Sequence, residues 1–210
     1  MLLILLLWLR YRRETGIAVV ETSVAEPGAA ALPLAPSGAL LNVSLRPIRA
    51  GLNILTAVAD CEITVVNDGE ASARSIRTAL HLIAAHRGQS TDIDAVNEAP
   101  IVRPILPAFD LAPGESRSFR GIAAAPLGSL ATMRAGGRNM LVPLVVLNLQ
   151  HRDDAGAQHL TSQLFVLGVE RADSPRLAPF WLDSVRMIDQ VAARASGAPL
   201  RRRIQTGLKR

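Results

Sequence analysis

The sequence predicts an all-β fold, an antiparallel β-sandwich of about seven strands, with an apolar anchor helix before it and a short helix after it. Three observations favour this class. Short apolar runs separated by turn signals follow one another from residue 40 to about residue 170. One run alternates between apolar and polar residues, as a half-covered strand does. Another is apolar almost throughout, as a strand covered on both faces is.

The 210 residues divide into five segments that differ in composition. The body is long enough for one ordinary domain, since single domains cluster at roughly 100–150 residues. The segments are a membrane anchor with a basic flank at 1–13, an Ala- and Pro-rich linker at 14–39, the sandwich at 40–172, an extension with a short helix at 173–200 and a basic tail at 201–210.

The chain opens with nine apolar residues, MLLILLLWL. At about 1.5 Å per residue they span roughly 14 Å, half of a hydrocarbon core of ~30 Å. Three interpretations remain: the downstream half of a transmembrane helix, a segment lying in the membrane interface, and a short buried helix or strand. We expect a membrane anchor, because aromatic and basic residues border the run as they do at membrane interfaces. These residues are Trp8, Arg10, Tyr11, Arg12 and Arg13.

The basic flank also predicts an orientation. By the positive-inside rule, everything after it lies on the cytoplasmic side of the membrane. The linker that follows has three prolines among alanine, valine and glycine and no sustained periodic pattern. It is typical of an extended spacer or of a loose coil, and an extended spacer would hold the body away from the membrane.

Alternation defines the first strands of the body. One lies around residues 41–45, a second covers Ala57–Val66 and a third covers Ser75–Ile83. In the second strand Cys61 falls on the apolar face, so we expect its thiol to be an inert core group. Asn-Asp-Gly after this strand signals a reversal into a hairpin, but residues 67–74 are too many for a two-residue loop. The connection either closes a hairpin or crosses between sheets.

The remainder of the body alternates strands with polar, proline-bounded segments. Met140–Leu149 is almost wholly apolar, which predicts a strand covered on both faces. The other elements, in order, are a surface loop over 86–104 with a helical turn around Asp92–Asn97, a strand at Ser116–Ile122, one or two helical turns within Pro126–Met133, and a returning strand at Gln158–Val169.

A short amphipathic helix is predicted after the sandwich. Asp183 is a suitable N-cap, and Val185, Ile188 and Val191 follow at helical spacing. Pro199 ends this helix, and the basic tail follows.

The net charge of +5 and the pI near 10.8 suggest an anionic partner, but the excess positive charge lies at the two ends. Residues 14–200 hold 15 basic and 18 acidic groups. Aromatic residues make up only 3% of the chain, so a base-stacking nucleic-acid surface is not expected. The tail remains a candidate contact for anionic lipid, through Arg201, Arg202, Arg203, Lys209 and Arg210.

Residues with catalytic or metal-binding chemistry do not form a recognisable motif. A single cysteine excludes a multi-cysteine metal site and an intrachain disulfide. His151 and His159 flank a turn near Asp153 and Asp154, where a metal site is conceivable but solvated turn residues are the usual case. No catalytic or nucleotide-binding signature is present. We therefore expect no cofactor, no small-molecule substrate and no enzymatic activity.

Two stretches carry a family resemblance: CEITVVNDGEASARSIRTALHL, and LAPGESRSF some 30 residues later. They resemble bacterial immunoglobulin-like modules of the cell-adhesion-related (CARDB) type over about residues 40–170. The whole layout is similar to uncharacterised bacterial single-pass membrane proteins with one such domain. The resemblance implies an immunoglobulin-like sandwich and no activity, since its motifs are mainly structural.

Two functions remain open at this point. The first is a membrane-anchored, non-catalytic interaction or scaffold module with an unknown protein partner, for which residues 86–104 and 126–138 are candidate surfaces. The alternative is a peripheral binder of anionic lipid or nucleic acid that acts through the basic tail.

Overall fold

The computed structural model describes residues 38–172, 174–183 and 185–204, apart from the side chain of Pro175. The elements, in chain order, are β1 Leu41–Leu52, β2 Thr56–Asn67, β3 Ala73–Ala84, α1 Gln89–Glu98, β4 Phe109–Leu111, β5 Ser116–Pro126, a 3₁₀ turn Leu127–Ser129, β6 Met133–Ala135, β7 Arg138–Leu141, β8 Pro143–Arg152, β9 Gln158–Arg171, β10 Ser174–Ala178, β11 Phe180–Trp181, β12 Met187–Ile188, β13 Val191–Ala195 and β14 Leu200–Arg203.

The described strands form antiparallel sheets, which confirms the all-β prediction. Sheet I has the order β12-β1-β2-β5. Sheet II has the order β10-β9-β8-β3-β4, with β13 and β14 also paired to β9. A third, smaller sheet has the order β11-β7-β6.

The main core lies between the inner faces of the two large sheets. On β2 the predicted alternation is confirmed: Cys61, Ile63 and Val65 are fully buried, while Glu62 and Thr64 face outward with their side chains partly exposed. Strand β8 contributes Val145, Leu147 and Leu149 to the same cluster. The inward residues of both sheets therefore form one continuous apolar layer.

Helix α1 covers the outer face of sheet II. The side chain of Asn148 on β8 donates to the carbonyl of Val96 on α1 at 3.0 Å, and Val146 beside it is fully buried. Both faces of β8 are thus covered, as its apolar sequence predicts. The helix is longer than the expected single turn, and it turns the segment 86–104 from a free loop into a packed cover.

The predicted hairpin between the second and third strands is wrong, and the crossing alternative is right. Strand β2 pairs with β1 and β5 in sheet I, while β3 pairs with β8 and β4 in sheet II. The polar residues between them carry the chain from one sheet to the other. The predicted strand Met140–Leu149 is likewise two strands, because β7 ends at Leu141 and β8 begins at Pro143 in a different sheet.

The predicted C-terminal helix is also wrong. The segment forms β12 against β1, then β13 and β14 against β9. A bulge at Gly197, where φ is +72°, separates β13 from β14. Without this segment one edge of β9 would present unpaired backbone groups. The hydrogen bonds that β13 and β14 make with β9 therefore favour strands over the helix that the weak periodicity of the segment predicts.

The two motifs behind the family resemblance meet in the fold. The backbone of Asn67 accepts a hydrogen bond from the amide of Gly114 at 2.8 Å and donates to the carbonyl of Glu115 at 2.9 Å. The buried Asn67 side chain ties together both sheets, since it bonds backbone groups of Leu40, Gly69, Ala71 and Leu111. Gly69 is required beside it, because a Cβ there would lie 2.1 Å from the carbonyl oxygen of Gly38.

Candidate functional site

The upper part of the outer face of sheet I is apolar and uncovered. The most exposed residues are Ile54 (82%) and Leu55 (75%) at the turn between β1 and β2, and Ile122 (64%) on β5. Val185 and Met187 are exposed beside them. We call this region the distal apolar surface; its residues are Ile54, Leu55, Val58, Ile122, Ala124, Val185 and Met187.

Cross-strand register brings these residues together. On the outer face Met187 pairs with Gly51, Gly51 with Val58, and Val58 with Ala124. Together they form an apolar row across all four strands of sheet I. Gly51 permits the close approach of β12, because a Cβ there would lie 2.1 Å from the carbonyl oxygen of Arg186.

The lower part of the same face is polar. Arg46 and Glu62 form an exposed ion pair with 2.6 Å between Nη2 and Oε2. Thr64 and Ser118 are joined by a 2.7 Å hydrogen bond between their hydroxyl oxygens. Water solvates such groups well, so this half of the face has no need of a cover, whereas the apolar half exposes a contiguous patch of the kind that marks interaction sites.

The boundary between the two halves is formed by one carboxylate. Asp60 is paired with Arg120 at 2.9 Å and with Arg49 at 3.5 Å, and its own side chain is almost fully covered. The two guanidinium groups compensate its burial.

A cavity of about 280 Å³ opens next to the distal apolar surface. Its walls include Leu52, Phe180, Trp181 and Ile188. The guanidinium of Arg138 lies 4.2 Å from the ring centroid of Trp181 and also pairs with Asp183. Trp181 is therefore held in place in the wall of a cleft that Arg171 and Arg186 also line, so the cleft offers apolar side chains together with charged groups.

The two ends of the described chain lie at the opposite end of the sandwich. The side chain of Arg201 donates to the carbonyl of Leu41 at 3.2 Å, and the amide of Ile204 donates to the carbonyl of Gln158 at 2.7 Å. Strand β1 runs from this end to the distal one, which separates the chain ends from the distal apolar surface by the length of the 12-residue strand.

The predicted site residues fall into two groups. Arg201, Arg202 and Arg203 lie in β14, where Arg201 also bonds the side chain of Asn42 and Arg202 donates to the carbonyl of Asn97 at 3.0 Å. Two of these three arginines are thus engaged by the body. Trp8, Arg10, Tyr11, Arg12, Arg13, Lys209 and Arg210 lie outside the described residues.

The predicted surface at 126–138 lies next to the distal apolar surface. The amide of Leu127 donates to the carbonyl of Leu55 at 2.8 Å, so the 3₁₀ turn packs against the β1–β2 turn. Of the predicted one or two helical turns within Pro126–Met133, one forms, as the 3₁₀ turn Leu127–Ser129, and β6 begins at Met133. The sequence carried one signal of the missed surface: Ile122 interrupts the polar series Ser118, Arg120 on the outward side of β5.

The histidines and the cysteine lie away from this surface. His151 and His159, on either side of the β8–β9 turn, stack with ring centroids 5.3 Å apart, and burial lowers the pKa of His151 to about 4. Burial also raises the pKa of the Cys61 thiol to about 12. His81 on β3 points to the outer face of sheet II, where it is half-buried, and burial lowers its pKa.

Across residues 38–172, 174–183 and 185–204, no group of three or more His, Cys, Asp or Glu side chains has the arrangement of a metal site. The helices in these ranges are too short or too polar to span a bilayer. Comparison with family models, curated proteins and solved structures finds no match for the chain.

Proposed function

We propose that the chain is a membrane-anchored, immunoglobulin-like module without catalytic activity that binds a protein partner through the distal apolar surface. The observation that carries the proposal is the exposed apolar half of sheet I's outer face, since soluble folds rarely leave such a patch uncovered. The partner would present its own apolar side chains there and fill the cleft beside Trp181.

The order of the strands that form the two main sheets up to Arg171 supports the immunoglobulin-like part of the proposal. Strands β1, β2 and β5 form one sheet, and β4, β3, β8 and β9 form the other, so seven strands are distributed as three and four. The first chain crossing between sheets follows β2, as Greek-key connectivity requires. The direct contact between the Asn67 and Gly114 motifs adds a structural reason for their joint occurrence.

The anchoring part of the proposal depends on residues 1–13 and the expected cytoplasmic orientation. It agrees with a distal binding surface, because the first and last described residues are both at the other end of the sandwich. Membrane flotation of the full chain tests it: the chain should float with uncharged phosphatidylcholine vesicles, and a variant lacking residues 1–13 should not. Equal flotation of the two proteins would contradict the membrane anchor. It would not contradict binding of a protein partner at the distal apolar surface.

Site-specific photo-cross-linking tests the surface. A photoreactive residue at Leu55 in the full chain should give one adduct with a second protein, and the same residue at Ser44 on the polar half should not. Ile54→Asp should abolish the Leu55 adduct, whereas the matched polar-half variant Arg46→Gln should retain it. A Leu55 adduct with lipid, with a second copy of the chain, or one insensitive to Ile54→Asp would contradict the proposal.

A further inference from the structure

A polar pocket of about 160 Å³ lies at the end of the sandwich that carries the chain ends, far from the distal apolar surface. It is much smaller than the roughly 300–1,000 Å³ of sites for drug-sized ligands. Its walls hold two arginines, two glutamines, a histidine and a serine, and no carboxylate: Ser75, Arg77, Gln150, His151, Arg152 and Gln158.

The register of sheet II brings the arginines and glutamines onto one face. Arg77 on β3 is opposite Gln150 on β8, and Arg152, two residues further along β8, is opposite Gln158 on β9. Residues two apart on a strand share a face, so all four side chains emerge on the outer side of the sheet. Neighbouring strands lie only about 4.8 Å apart, which puts both guanidinium groups within reach of one small ligand.

Neither arginine has an acidic partner among the described residues. Arg77 and Arg152 are absent from every ion pair there, in contrast to Arg74 next to them, which pairs with Asp154 at 2.8 Å. Asp153 on the β8–β9 turn is likewise occupied, by His159 at 3.0 Å and by the amide of Ala157 at 2.8 Å. The two acids of the β8–β9 turn are thus already paired, and two positive charges remain beside a cavity.

A β-bulge shapes the rim of the pocket. The register of β3 shifts between Arg74 and Arg77, and Ser75 within the bulge has a φ of +52°. The carboxylate of Asp110 holds this conformation by accepting from the Ser75 amide at 2.7 Å. Bulges often re-aim side chains at the edge of a site, and here the bulge brings Ser75 to the wall of the pocket.

We propose that this pocket binds a phosphate group, carried either by a small soluble ligand or by an anionic lipid headgroup. Two guanidinium groups balance the charge of a phosphate dianion. Each also presents its N–H donors in a fork geometry that suits two phosphate oxygens. The amide of Gln158 and the hydroxyl of Ser75 supply further donors around the same space. The inference stands apart from the proposed protein partner, which binds at the other end of the molecule.

Calorimetric titration of the full chain in detergent with inorganic phosphate and with glycerol 3-phosphate tests binding. Arg77→Gln and Arg152→Gln should each weaken binding at least tenfold. Arg87→Gln removes the same charge from an exposed position in the turn between β3 and α1 and should change affinity less than twofold. Gln158→Glu keeps both arginines and should block binding by occupying them with a carboxylate. Binding that Arg87→Gln weakens as much as Arg77→Gln does would overturn the proposal.

Vesicles distinguish the two sources of phosphate. The chain lacking residues 1–13 is mixed with phosphatidylcholine vesicles with and without 20% phosphatidic acid. Retention on the acidic vesicles that is lost in Arg77→Gln indicates a lipid headgroup. Binding of glycerol 3-phosphate without such retention indicates a soluble phosphate. If neither the soluble probes nor the acidic vesicles respond to Arg77→Gln, the pocket is not a phosphate site.

Discussion

The outer faces of the two main sheets both carry apolar residues, but only one of them is covered by the chain itself. On sheet II, Val146 is fully buried because α1 packs over it. On sheet I, Ile122 is 64% exposed, and nothing among the described residues lies over it. The difference teaches that strand composition does not decide which face is closed. The segment inserted after β3 closes the outer face of sheet II, and among the described residues sheet I has no equivalent cover.

Parallel substitutions on the two faces give the largest expected contrast. Val146→Asn buries an amide in an apolar layer and removes aliphatic packing, so we expect a loss of about 3 kcal/mol or more in the free energy of unfolding. Ile122→Asn at an exposed position should change it by less than about 0.5 kcal/mol. Urea denaturation monitored by circular dichroism measures both. Similar losses for the two variants would mean that the sheet I face is covered too.

Lowering the pH should destabilise the fold through a histidine of sheet II. The pKa of His151 on β8 lies at about 4, below its ordinary value of 6.5, so the unfolded chain takes up a proton first as the pH falls. Stability is therefore full above about pH 6.5 and decreases toward pH 4, by up to about 3 kcal/mol at ~1.4 kcal/mol per pH unit.

Urea midpoints between pH 7 and pH 4 check this dependence. His151→Phe keeps an aromatic ring against His159 and should flatten the profile over this range. Asp153 contributes in the same direction but at lower pH, because its hydrogen bond with His159 lowers its pKa. A His151→Phe profile as steep as that of the parent would assign the acid sensitivity to another group.

The polar half of the outer face of sheet I should contribute least to the free energy of unfolding. In the Arg46–Glu62 pair the side chains are 70% and 41% exposed, and exposed pairs contribute roughly 0.2–1 kcal/mol. Arg46→Gln should lower the free energy of unfolding by no more than about 0.5 kcal/mol, and by less in 0.5 M salt. A larger loss, insensitive to salt, would show that this half of the face is also packed against something.

The sequence predicted strands far better than it predicted their partners. Alternation on β2 and the apolar run of β8 were correct because side-chain burial follows the period of the strand directly. The sequence did not show whether β2 and β3 pair with each other or lie in different sheets. Asn-Asp-Gly marks a reversal of the chain, but it does not specify which sheet the chain enters next. Val185, Ile188 and Val191 have the spacing of a helix, but this spacing is coincidental, because Ile188 and Val191 lie in the short strands β12 and β13.

The candidate site was the least predictable part. Residues 86–104 were expected to offer a surface and instead cover one, because a helix within them packs on β8. Met187 is far in the sequence from Ile54 and Leu55, and only the pairing of β12 with β1 brings it next to them. Arg77 and Arg152 form a pocket for the same reason, through the register of β3 with β8.

By itself, the sequence determined the all-β class, the residues that face the core, the inert position of Cys61 and the concentration of positive charge at the two ends. Only the tertiary structure decided which strands pair, that the C-terminal segment completes the edge of β9, and which apolar face stays open. The physical reason is that side-chain periodicity is a local property, whereas backbone pairing and the coverage of a face depend on segments far apart in the chain.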